Sequence, residues 1–430
     1  MPGTEGAELR REVGLTGATL LGLGSILGTG AFVSVGIGVE LVGSWTVLAL
    51  VLAGLVALCN ALSSAQLAAA HPRSGGTYEY GYELIHPWAG FTAGWMFLAA
   101  KSASAAAAAL GFASYLVTDA RFRFMHSVVA ATAVIVLTLL VAGGLRRSQR
   151  VNALMVLLTV AALLTFAATA MVIGPGPDSE ESAPGGLRFL EAVALMFVAY
   201  TGYGRVATLG EEVRDPKRTI PKAIVTTLAV SVLLYVLVAL AGVLCFGQDE
   251  IAGSTREGGA PLAMLLRRDG QTGVSLFVTL GAITAMLGVL LNLLLGLSRV
   301  LLAMGRRGDM PASVAMIDPK GATPRRAVLV MGAIVLMITL TGELRAAWSF
   351  SAFTVLVYYA ITNWAALRLP AEERLYSRAW AMGGLASCTF LAAWVEPWAW
   401  AIGTALIVVG WAWRALFRRL VRNRGAEPPR

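Results

Sequence analysis

The stretch GLGSILGTGAF, Gly22 to Phe32, places four glycines inside an apolar segment that runs from about residue 14 to residue 39. An apolar segment of this length predicts a membrane-spanning helix, because about 20 residues cross the hydrocarbon core of a bilayer. Small residues spaced by three or four let helices pack closely in lipid. A break in the helix would expose backbone N–H and C=O groups, which is tolerated only where they line a cavity or bind a ligand. The glycines therefore indicate either close helix packing or a binding site at membrane depth.

The composition of the whole chain supports a membrane protein. Of its 430 residues, 57% are hydrophobic and only 14% are charged, which is too apolar for a soluble protein. Twelve apolar runs of spanning length lie near residues 14–39, 45–70, 88–118, 125–143, 151–173, 187–210, 222–246, 273–303, 327–341, 345–367, 378–394 and 397–417. We therefore predict an all-α polytopic membrane protein in which residues 1–430 form a single domain of 12 transmembrane helices.

The basic residues predict the orientation of these helices. With the first segment inside the cell, the cytoplasmic segments hold 24 of the 34 Lys and Arg residues, and the external loops hold 7. The other three, Lys101, Arg205 and Arg299, lie inside spans. Because Lys and Arg are retained on the cytoplasmic side, we expect both termini in the cytoplasm and the protein in the cell (inner) membrane. This topology explains the net charge of +9, so no nucleic-acid partner is expected.

A second glycine cluster lies in the sixth apolar run, where AYTGYG extends from Ala199 to Gly204. If spans one to five (14–173) and six to ten (187–367) are repeats with an odd number of helices, the second repeat enters the membrane from the opposite side. Helices 11 and 12 (378–417) are then appended. Two glycine clusters at corresponding positions favour an unwound binding site over helix packing. We therefore predict a five-plus-five inverted repeat with discontinuous helices 1 and 6.

Five blocks of sequence, in order along the chain, resemble the amino acid-polyamine-organocation (APC) superfamily of permeases. They are GLGSILGTGAF (Gly22 to Phe32), HPRSGGTYEYGYE (His71 to Glu83), AYTGYGRVATLGEEVRDPKRTIPKAI (Ala199 to Ile224), SRVLLAMGRRGDMP (Ser298 to Pro311) and TPRRAVL (Thr323 to Leu329). The resemblance implies a LeuT-type fold and a secondary active transporter of amino acids that works by alternating access. In such transporters the binding site lies near the membrane midplane, between discontinuous helices.

The resemblance also implies how an amino acid would be held. The backbone amides of Thr29 and Gly30, at the start of a half-helix, would receive the substrate carboxylate, with the Thr29 hydroxyl nearby. The positive end of a helix dipole favours an anion there. The unwound carbonyls of Ile26, Val198 and Thr201 would hold the ammonium. The predicted substrate-binding residues are Ile26, Gly28, Thr29, Gly30, Val198, Ala199, Tyr200, Thr201, Gly202 and Tyr203.

Two positions depart from the pattern of the superfamily. Where relatives often carry an aromatic lid, this chain has Val198. The aromatic residues Phe197, Tyr200 or Tyr203 would then cover the substrate, or they pack in the core. A position that is commonly acidic in relatives is Gly204 here. The missing carboxylate argues against cationic substrates and favours neutral amino acids, although acidic ones are also compatible with it.

Charged residues at membrane depth are costly and mark functional sites. Lys101 lies about 13 residues into span three. We expect Lys101 to load and release a proton as the site alternates, although a permanent structural pairing explains it equally well. Arg205 is expected to pair with Glu211 or Glu212 at a cytoplasmic gate, or to bind a substrate carboxylate.

A proton is the expected coupling ion. Sodium would require oxygen ligands from spans one and eight, and the matching stretch of span eight, AMLGVLLN (Ala285 to Asn292), has no hydroxyl group. Proton-coupled uptake of neutral amino acids is therefore expected. An amino acid exchanger, a polyamine carrier and a non-transporting amino acid sensor are the alternatives. Polyamines lack a carboxylate, so they would leave the backbone amides of Thr29 and Gly30 unused.

No cofactor, metal or enzyme activity is expected. The three cysteines have no metal-ligand spacing, and the three histidines share no helical face. The expected partners are an amino acid, protons and membrane lipid, and no oligomeric state is indicated. The basic segment RALFRRLVRNR, Arg414 to Arg424, would lie against anionic lipid or in solvent.

Overall fold

The computed structural model describes residues 13–72, 75–118, 122–144, 149–176, 185–207, 213–317 and 323–423. Helices dominate these ranges. Those of the first part are α1 (Leu15–Ile26), α2 (Val35–Val42), α3 (Thr46–Ala70), α4 (Thr77–Leu84), α5 (Pro87–Leu116), α6 (Arg123–Ala142) and α7 (Gln149–Ile173). Those that follow are α8 (Gly186–Tyr200), α9 (Gly204–Ala207), α10 (Pro216–Phe246), α11 (Gln248–Gly258), α12 (Pro261–Arg268), α13 (Thr272–Arg306), α14 (Arg325–Thr339), α15 (Leu344–Arg368), α16 (Arg378–Ala392) and α17 (Pro397–Asn423).

Within the described ranges, eight helical segments are long and apolar enough to cross a membrane. They cover predicted spans three, four, five, seven, eight, ten and twelve, and a segment, Gly30–Ala70, that joins the second half of span one to span two. Predicted spans six, nine and eleven are α8, α14 and α16, of 15 residues each. Each of these reaches about 22 Å, less than a hydrocarbon core of about 30 Å. The all-helical polytopic class is thus confirmed, while the 12 spans and the inverted repeat stay predictions.

The helix α5 is enclosed by other helices. It packs along α13 and α15, and also contacts α4, α6 and α14. The alanines from Ala105 to Ala109 are fully buried, and small side chains of this kind let neighbouring helices approach closely in lipid. Lys101, which α5 carries, is therefore surrounded by protein.

The first helical span is interrupted at its glycine cluster. α1 ends at Ile26, and Leu27 then adopts an extended conformation with φ −72° and ψ 96°. The helix resumes as a π-helical turn, Gly30–Ser34, that leads into α2. The sixth predicted span is interrupted as well, because α8 ends at Tyr200 and a 3₁₀ turn, Thr201–Tyr203, leads into α9. Below, Ile26 to Gly30 is called the first break and Tyr200 to Gly204 the second break.

The glycines of the two clusters serve close packing as well as the breaks. A Cβ on Gly202 would collide with the backbone oxygen of Ser25, so the two breaks lie directly against each other. A Cβ on Gly28 would lie 2.6 Å from the side chain of Val289 on α13. Gly24 faces the Asn152 side chain of α7 at similarly close range. Close packing and helix interruption therefore both occur at these glycine clusters, each at different residues.

A buried charged cluster joins three parts of the chain at the end of α13. Asp309 is fully buried and accepts hydrogen bonds from Tyr78 at 2.9 Å and from Tyr82, both on α4. It also accepts from Arg414 Nε at 3.2 Å and from Arg418 at 3.1 Å, both on α17. These five residues are called the Asp309 cluster. Arg414 is only 2% exposed, so the prediction that its segment lies in lipid or solvent is wrong for Arg414, which is an internal ion-pair partner.

The α4 segment is held to the end of α13 by a second ion pair, between Glu79 and Arg307, and by the hydrogen bond from the Tyr82 phenol to Asp309. Arg307 donates two hydrogen bonds to the Glu79 carboxylate, one of them from Nε at 3.2 Å. Burial, and then the nearby Asp309 carboxylate, raise the pKa of Tyr82 to about 12. The Tyr82 phenol therefore remains a hydrogen-bond donor to Asp309 at every physiological pH.

A second group of charged side chains surrounds Arg345. Arg345, at the start of α15, is 3.4 Å from a Glu396 oxygen and 3.6 Å from Glu40 of α2. It is also 3.7 Å from Glu191, which belongs to α8. These side chains are partly exposed, so each pair contributes little alone, but together they link the helices that carry both breaks to α15.

Candidate functional site

A cavity with a mostly apolar surface and several polar groups lies at the two breaks, bordered also by α5, α13 and α15. It offers about 80 Å³ to the centres of water-sized molecules, enough for several waters or one small solute. Most of the predicted substrate-binding residues line this cavity, namely Ile26, Thr29, Gly30, Val198, Ala199, Thr201 and Gly202. The predicted coupling residue Lys101 and the predicted gate residue Arg205 line it too.

The predicted residues Tyr200 and Tyr203 pack beside the cavity and are not part of its lining. The Tyr200 ring lies 5.2 Å from that of Tyr235, and its hydroxyl donates to the Leu50 carbonyl at 3.2 Å. The Tyr203 ring lies 5.6 Å from that of Tyr359. Gly28 is also outside the lining, because it faces α13. The side chains of Tyr200 and Tyr203 therefore pack around the breaks in this structure.

The aromatic walls of the cavity come from other helices than expected. Phe197 packs edge-on against Tyr359, with ring centroids 5.7 Å apart, and does not line the cavity. The aromatic lining residues belong to α5 and α15 and are Phe97, Trp348, Tyr358 and Tyr359. The sequence gives no sign of this arrangement, because both helices are apolar on most faces.

At the first break, a buried hydroxyl has no partner among the described residues. Thr29 lines the cavity and is 4% exposed, and its Oγ1 makes no hydrogen bond there. Buried polar side chains are nearly always hydrogen-bonded, so an unpartnered hydroxyl on a residue that lines a cavity is a candidate ligand-binding group. Beside it, the helix resumes at Gly30, and the first amides of a helix have no partner within the helix. The first break is therefore suited to bind an anionic group.

Tyr235 of α10 connects the first break to the end of α8. Its hydroxyl lies 2.8 Å from the carbonyl oxygen of Ile26 and 3.3 Å from that of Ala199. Both carbonyls border the cavity, and Tyr235 itself is fully buried. Tyr235 is absent from the predicted site, and the one available signal was a phenol within an otherwise apolar run. Its hydroxyl therefore links the end of α1 to the end of α8.

The second break is satisfied by the protein's own donors. The carbonyl oxygen of Thr201 lies 3.3 Å from Lys101 Nζ and 3.3 Å from the Tyr359 hydroxyl. The Thr201 hydroxyl accepts a second hydrogen bond from Lys101 at 2.8 Å and donates to the Val198 carbonyl at 2.9 Å. Lys101, 6% exposed, is therefore attached to the second break by two contacts with one residue.

Asn292 of α13 supports the end of α1. Its amide nitrogen donates to the Gly24 carbonyl at 3.1 Å and contacts the Ser25 hydroxyl at 3.0 Å. Asn292 also lines the cavity. The sequence marks it only as a polar residue near the end of the span-eight stretch, and its partners depend on which face of α13 meets α1.

The charged residues that line the cavity are cations. They are Lys101, Arg205 and Arg299, and the described lining includes no carboxylate. Glu211 and Glu212, the predicted partners of Arg205 at the cytoplasmic gate, lie outside the described residues.

The fold and site define a class of protein: a multi-pass helical membrane protein with a cavity between two interrupted helices. The chain belongs to the amino acid permease family, whose model matches residues 17–419. The superfamily expected from the five sequence blocks is thus confirmed. Members of this family are transporters and not enzymes, and the match supports amino acid transport.

Individual relatives agree with this assignment. An uncharacterized transporter of Mycobacterium tuberculosis is 39% identical over 428 residues, which cover 98% of this chain and 94% of the relative. The branched-chain amino acid permease BcaP of Bacillus subtilis is 32% identical over 338 residues, covering 74% of this chain and 71% of the relative. The methylthioribose transporter of Bacillus subtilis is 28% identical over 351 residues, covering 76% and 74%.

Proposed function

We propose that this chain carries neutral amino acids across the cell membrane by alternating access, with the cavity between the two breaks as its substrate site. Thr29 carries this proposal, because the residue lines the cavity, is 4% exposed, and has a hydroxyl with no partner among the described residues. A substrate carboxylate at the amides of Thr29 and Gly30 would accept its hydrogen bond. Hydrogen bonds to a charged group of this kind contribute about 1.5–3 kcal/mol each.

The substrate side chain is proposed to be uncharged. Lys101 in the wall, whose hydrogen bonds go to the neutral Thr201, disfavours a substrate with a second ammonium or a guanidinium group. The same residue disfavours the polyamine alternative. Aliphatic walls from Val198 and Val289 suit an apolar side chain, and the permease BcaP, named for branched-chain amino acids, is one of the relatives.

The transport cycle is proposed to involve a proton on Lys101. Lys101 is a titratable group in the cavity wall, and its contacts with Thr201 link it to a helix that must move during alternating access. Arg205 is proposed to pair with Glu211 or Glu212 on inward opening. An exchanger that moves one amino acid for another is the alternative mechanism, and a sensor that binds without transport is the alternative outside this class.

The proposed topology has 12 spans in two inverted repeats, with both termini in the cytoplasm. Support comes from the interruption of helices at corresponding places, in the first and sixth predicted spans. Single cysteines placed near residues 2 and 428, labelled from outside on intact cells in a Cys-free background, test this topology. Labelling without permeabilisation contradicts cytoplasmic termini.

The test of the function is uptake of a panel of radiolabelled amino acids into proteoliposomes that contain the purified protein. The panel includes leucine, isoleucine, valine, glutamate, arginine and lysine, with methylthioribose and spermidine as non-amino-acid probes. Uptake is measured with and without a proton gradient, and with and without unlabelled amino acid inside. We expect neutral amino acids to accumulate under one of two gradients: an outside-acid gradient drives uptake by cotransport with protons, and an inside-acid gradient drives uptake by exchange against protons.

Other outcomes separate the alternatives. Uptake only into vesicles preloaded with amino acid identifies an exchanger. Binding by calorimetry without flux under any condition identifies a sensor and contradicts transport. Preferred uptake of arginine, lysine or spermidine contradicts a neutral substrate. It would mean that a carboxylate from outside the described lining residues contacts the substrate.

A further inference from the structure

The carbonyls proposed to hold a substrate ammonium already accept hydrogen bonds from the protein. A carbonyl oxygen has two lone pairs, and those of Thr201 face Lys101 Nζ and the Tyr359 hydroxyl, each at 3.3 Å. The Val198 carbonyl, in the last turn of α8, likewise accepts from the Thr201 hydroxyl and from the Thr201 backbone N–H. The third, the Ile26 carbonyl, accepts from the Tyr235 hydroxyl at 2.8 Å. An ammonium that binds the Thr201 carbonyl must therefore displace one of the protein's own donors.

Lys101 is the donor that an ammonium displaces. Two ammonium groups on the Thr201 carbonyl would lie within a few ångströms of each other, and like charges at that range repel strongly. The Tyr359 hydroxyl is neutral, so it does not oppose the substrate in this way. Once separated from Thr201, a charged Lys101 would be a buried cation facing no carboxylate in the described lining of the cavity. A buried charge in that position is relieved by loss of its proton.

We propose that Lys101 and the substrate ammonium exclude each other at Thr201, so that binding of an amino acid expels a proton from Lys101. The N–H bond of the Lys101 ammonium breaks, the electron pair stays on Nζ, and the proton passes through cavity water to the solvent. Substrate and proton then cross the membrane in separate steps, as exchange and not as cotransport. This inference rests on the proposed substrate site, and it specifies that the amino acid and the proton move in opposite directions.

The other titratable groups around Lys101 do not exchange a proton near neutral pH. The guanidinium groups of Arg205 and Arg299 stay charged, and the phenols of Tyr203, Tyr358 and Tyr359 stay protonated. No carboxylate is present among the described lining residues. Lys101 is therefore the group in the described cavity wall that can account for a proton released on binding.

The experiment measures protons and affinity together on the purified full-length protein in detergent. L-Leucine is titrated in a weakly buffered solution with a pH indicator, and its Kd is measured by calorimetry at pH 6, 7 and 8. We expect about one proton released per leucine bound and a Kd that falls by up to about tenfold per pH unit. This wild-type measurement tests the proposal without any variant.

Three variants and one analogue assign the proton to Lys101. In Lys101→Met, we expect leucine to bind without proton release and more tightly than wild type at pH 6. In Lys101→Arg, the charge is permanent, so binding is weak at every pH and no proton is released. Tyr359→Phe removes the neutral donor on the same carbonyl and keeps the proton release. The amine-free analogue 4-methylpentanoate has no ammonium to compete, so its binding releases no proton.

Some outcomes overturn the proposal. Proton uptake on leucine binding, or binding with no proton change and no pH dependence, contradicts mutual exclusion while leaving the substrate site intact. Loss of leucine binding in a folded Lys101→Met protein also contradicts it, because Lys101 would then assist the substrate. If neither the wild type nor Lys101→Met binds any amino acid of the panel, the proposed function itself fails, and this inference fails with it.

Discussion

The two breaks occupy corresponding places in the first and sixth predicted spans, yet the protein treats their polar groups differently. At the first break, Thr29 lines the cavity, and its buried hydroxyl has no partner among the described residues. At the second break, the carbonyl of Thr201 has two donors and its hydroxyl has an acceptor and a donor. A ligand that enters the cavity therefore meets unsatisfied groups on one side and must compete with side chains on the other.

The backbone conformations follow the same division. Leu27 leaves the helical region with ψ 96°, and the chain needs three residues before a π-helical turn begins at Gly30. Thr201, with φ −74° and ψ 4°, remains close to helical values and starts a 3₁₀ turn at once. A wide break exposes more backbone than a tight one. Two glycine clusters that look equivalent in sequence thus have different capacities to bind a ligand.

The largest effect is expected from a substitution that pushes the two breaks apart. In Gly202→Ala, the new methyl group collides with the Ser25 carbonyl, an atom fixed by the backbone of α1. Overpacking costs about 1–3 kcal/mol where side chains can adjust, so we expect a loss at or above the upper end of this range. The thermal unfolding of the detergent-purified protein and its leucine uptake should both show the loss.

A matched control for this substitution is Gly273→Ala in the first turn of α13, where no atom lies within 4 Å of the added methyl group. We expect its stability to be unchanged or higher by about 0.4–1 kcal/mol, because alanine restricts the unfolded chain. If Gly202→Ala is as stable and active as this control, the two breaks do not need their close contact.

A smaller effect, confined to binding, is expected from removal of the orphaned hydroxyl. Thr29→Val keeps the shape of the side chain but cannot bind a carboxylate. We expect the Kd for leucine to rise by about 10- to 100-fold, as for loss of a hydrogen bond to a charged group. The stability of the protein should not fall, because the Thr29 hydroxyl makes no hydrogen bond among the described residues and none is lost when it is removed. Calorimetry and thermal unfolding on the same sample measure both quantities.

Ser102 provides the control for Thr29. Its hydroxyl is also buried without a partner among the described residues, and it lies on α5 outside the cavity lining. Ser102→Ala should leave the Kd for leucine unchanged. Equal weakening by both substitutions would mean that orphaned hydroxyls in this bundle report general packing and that the first break has no special role.

The smallest effect is expected where one side chain touches both breaks. Tyr235→Phe keeps the ring that packs on Tyr200 and removes the donor to the Ile26 and Ala199 carbonyls. A single neutral hydrogen bond contributes about 0.5–1.5 kcal/mol, so we expect stability to fall by that amount and the Kd to change only severalfold. Thermal unfolding and calorimetry measure these changes. A change in Kd above that for Thr29→Val would make Tyr235 a direct ligand contact.

Hydrophobic length and glycine position were sufficient to predict much of this fold. Each long apolar run became a helix, and both glycine clusters interrupt a helix. The burial of Lys101 within the bundle also agrees with its place in span three. These properties depend on residues close together in sequence, so they can be read from a short window.

The partners across helices could not be predicted in this way. Tyr235, Tyr359 and Asn292 lie on helices that are apolar on most faces, so periodicity does not tell which face meets the breaks. The contact of Lys101 with Thr201 depends on that same rotation. Arg414 was assigned to lipid or solvent because its neighbours are basic, whereas its partner Asp309 lies 105 residues earlier in the chain.

The Asp309 cluster also sets a condition on the biosynthesis of the protein. Asp309 leaves the ribosome 105 residues before Arg414, an interval of about 5 to 20 s at about 5–20 residues per second. Until Arg414 arrives, Asp309 can be sealed into the bundle only as an unpaired charge, which costs several kcal/mol. The end of α13 must therefore stay hydrated while α14 to α17 are inserted. Docking of α17, which supplies Arg414 and Arg418 to Asp309, is thus a late step in the assembly of the bundle.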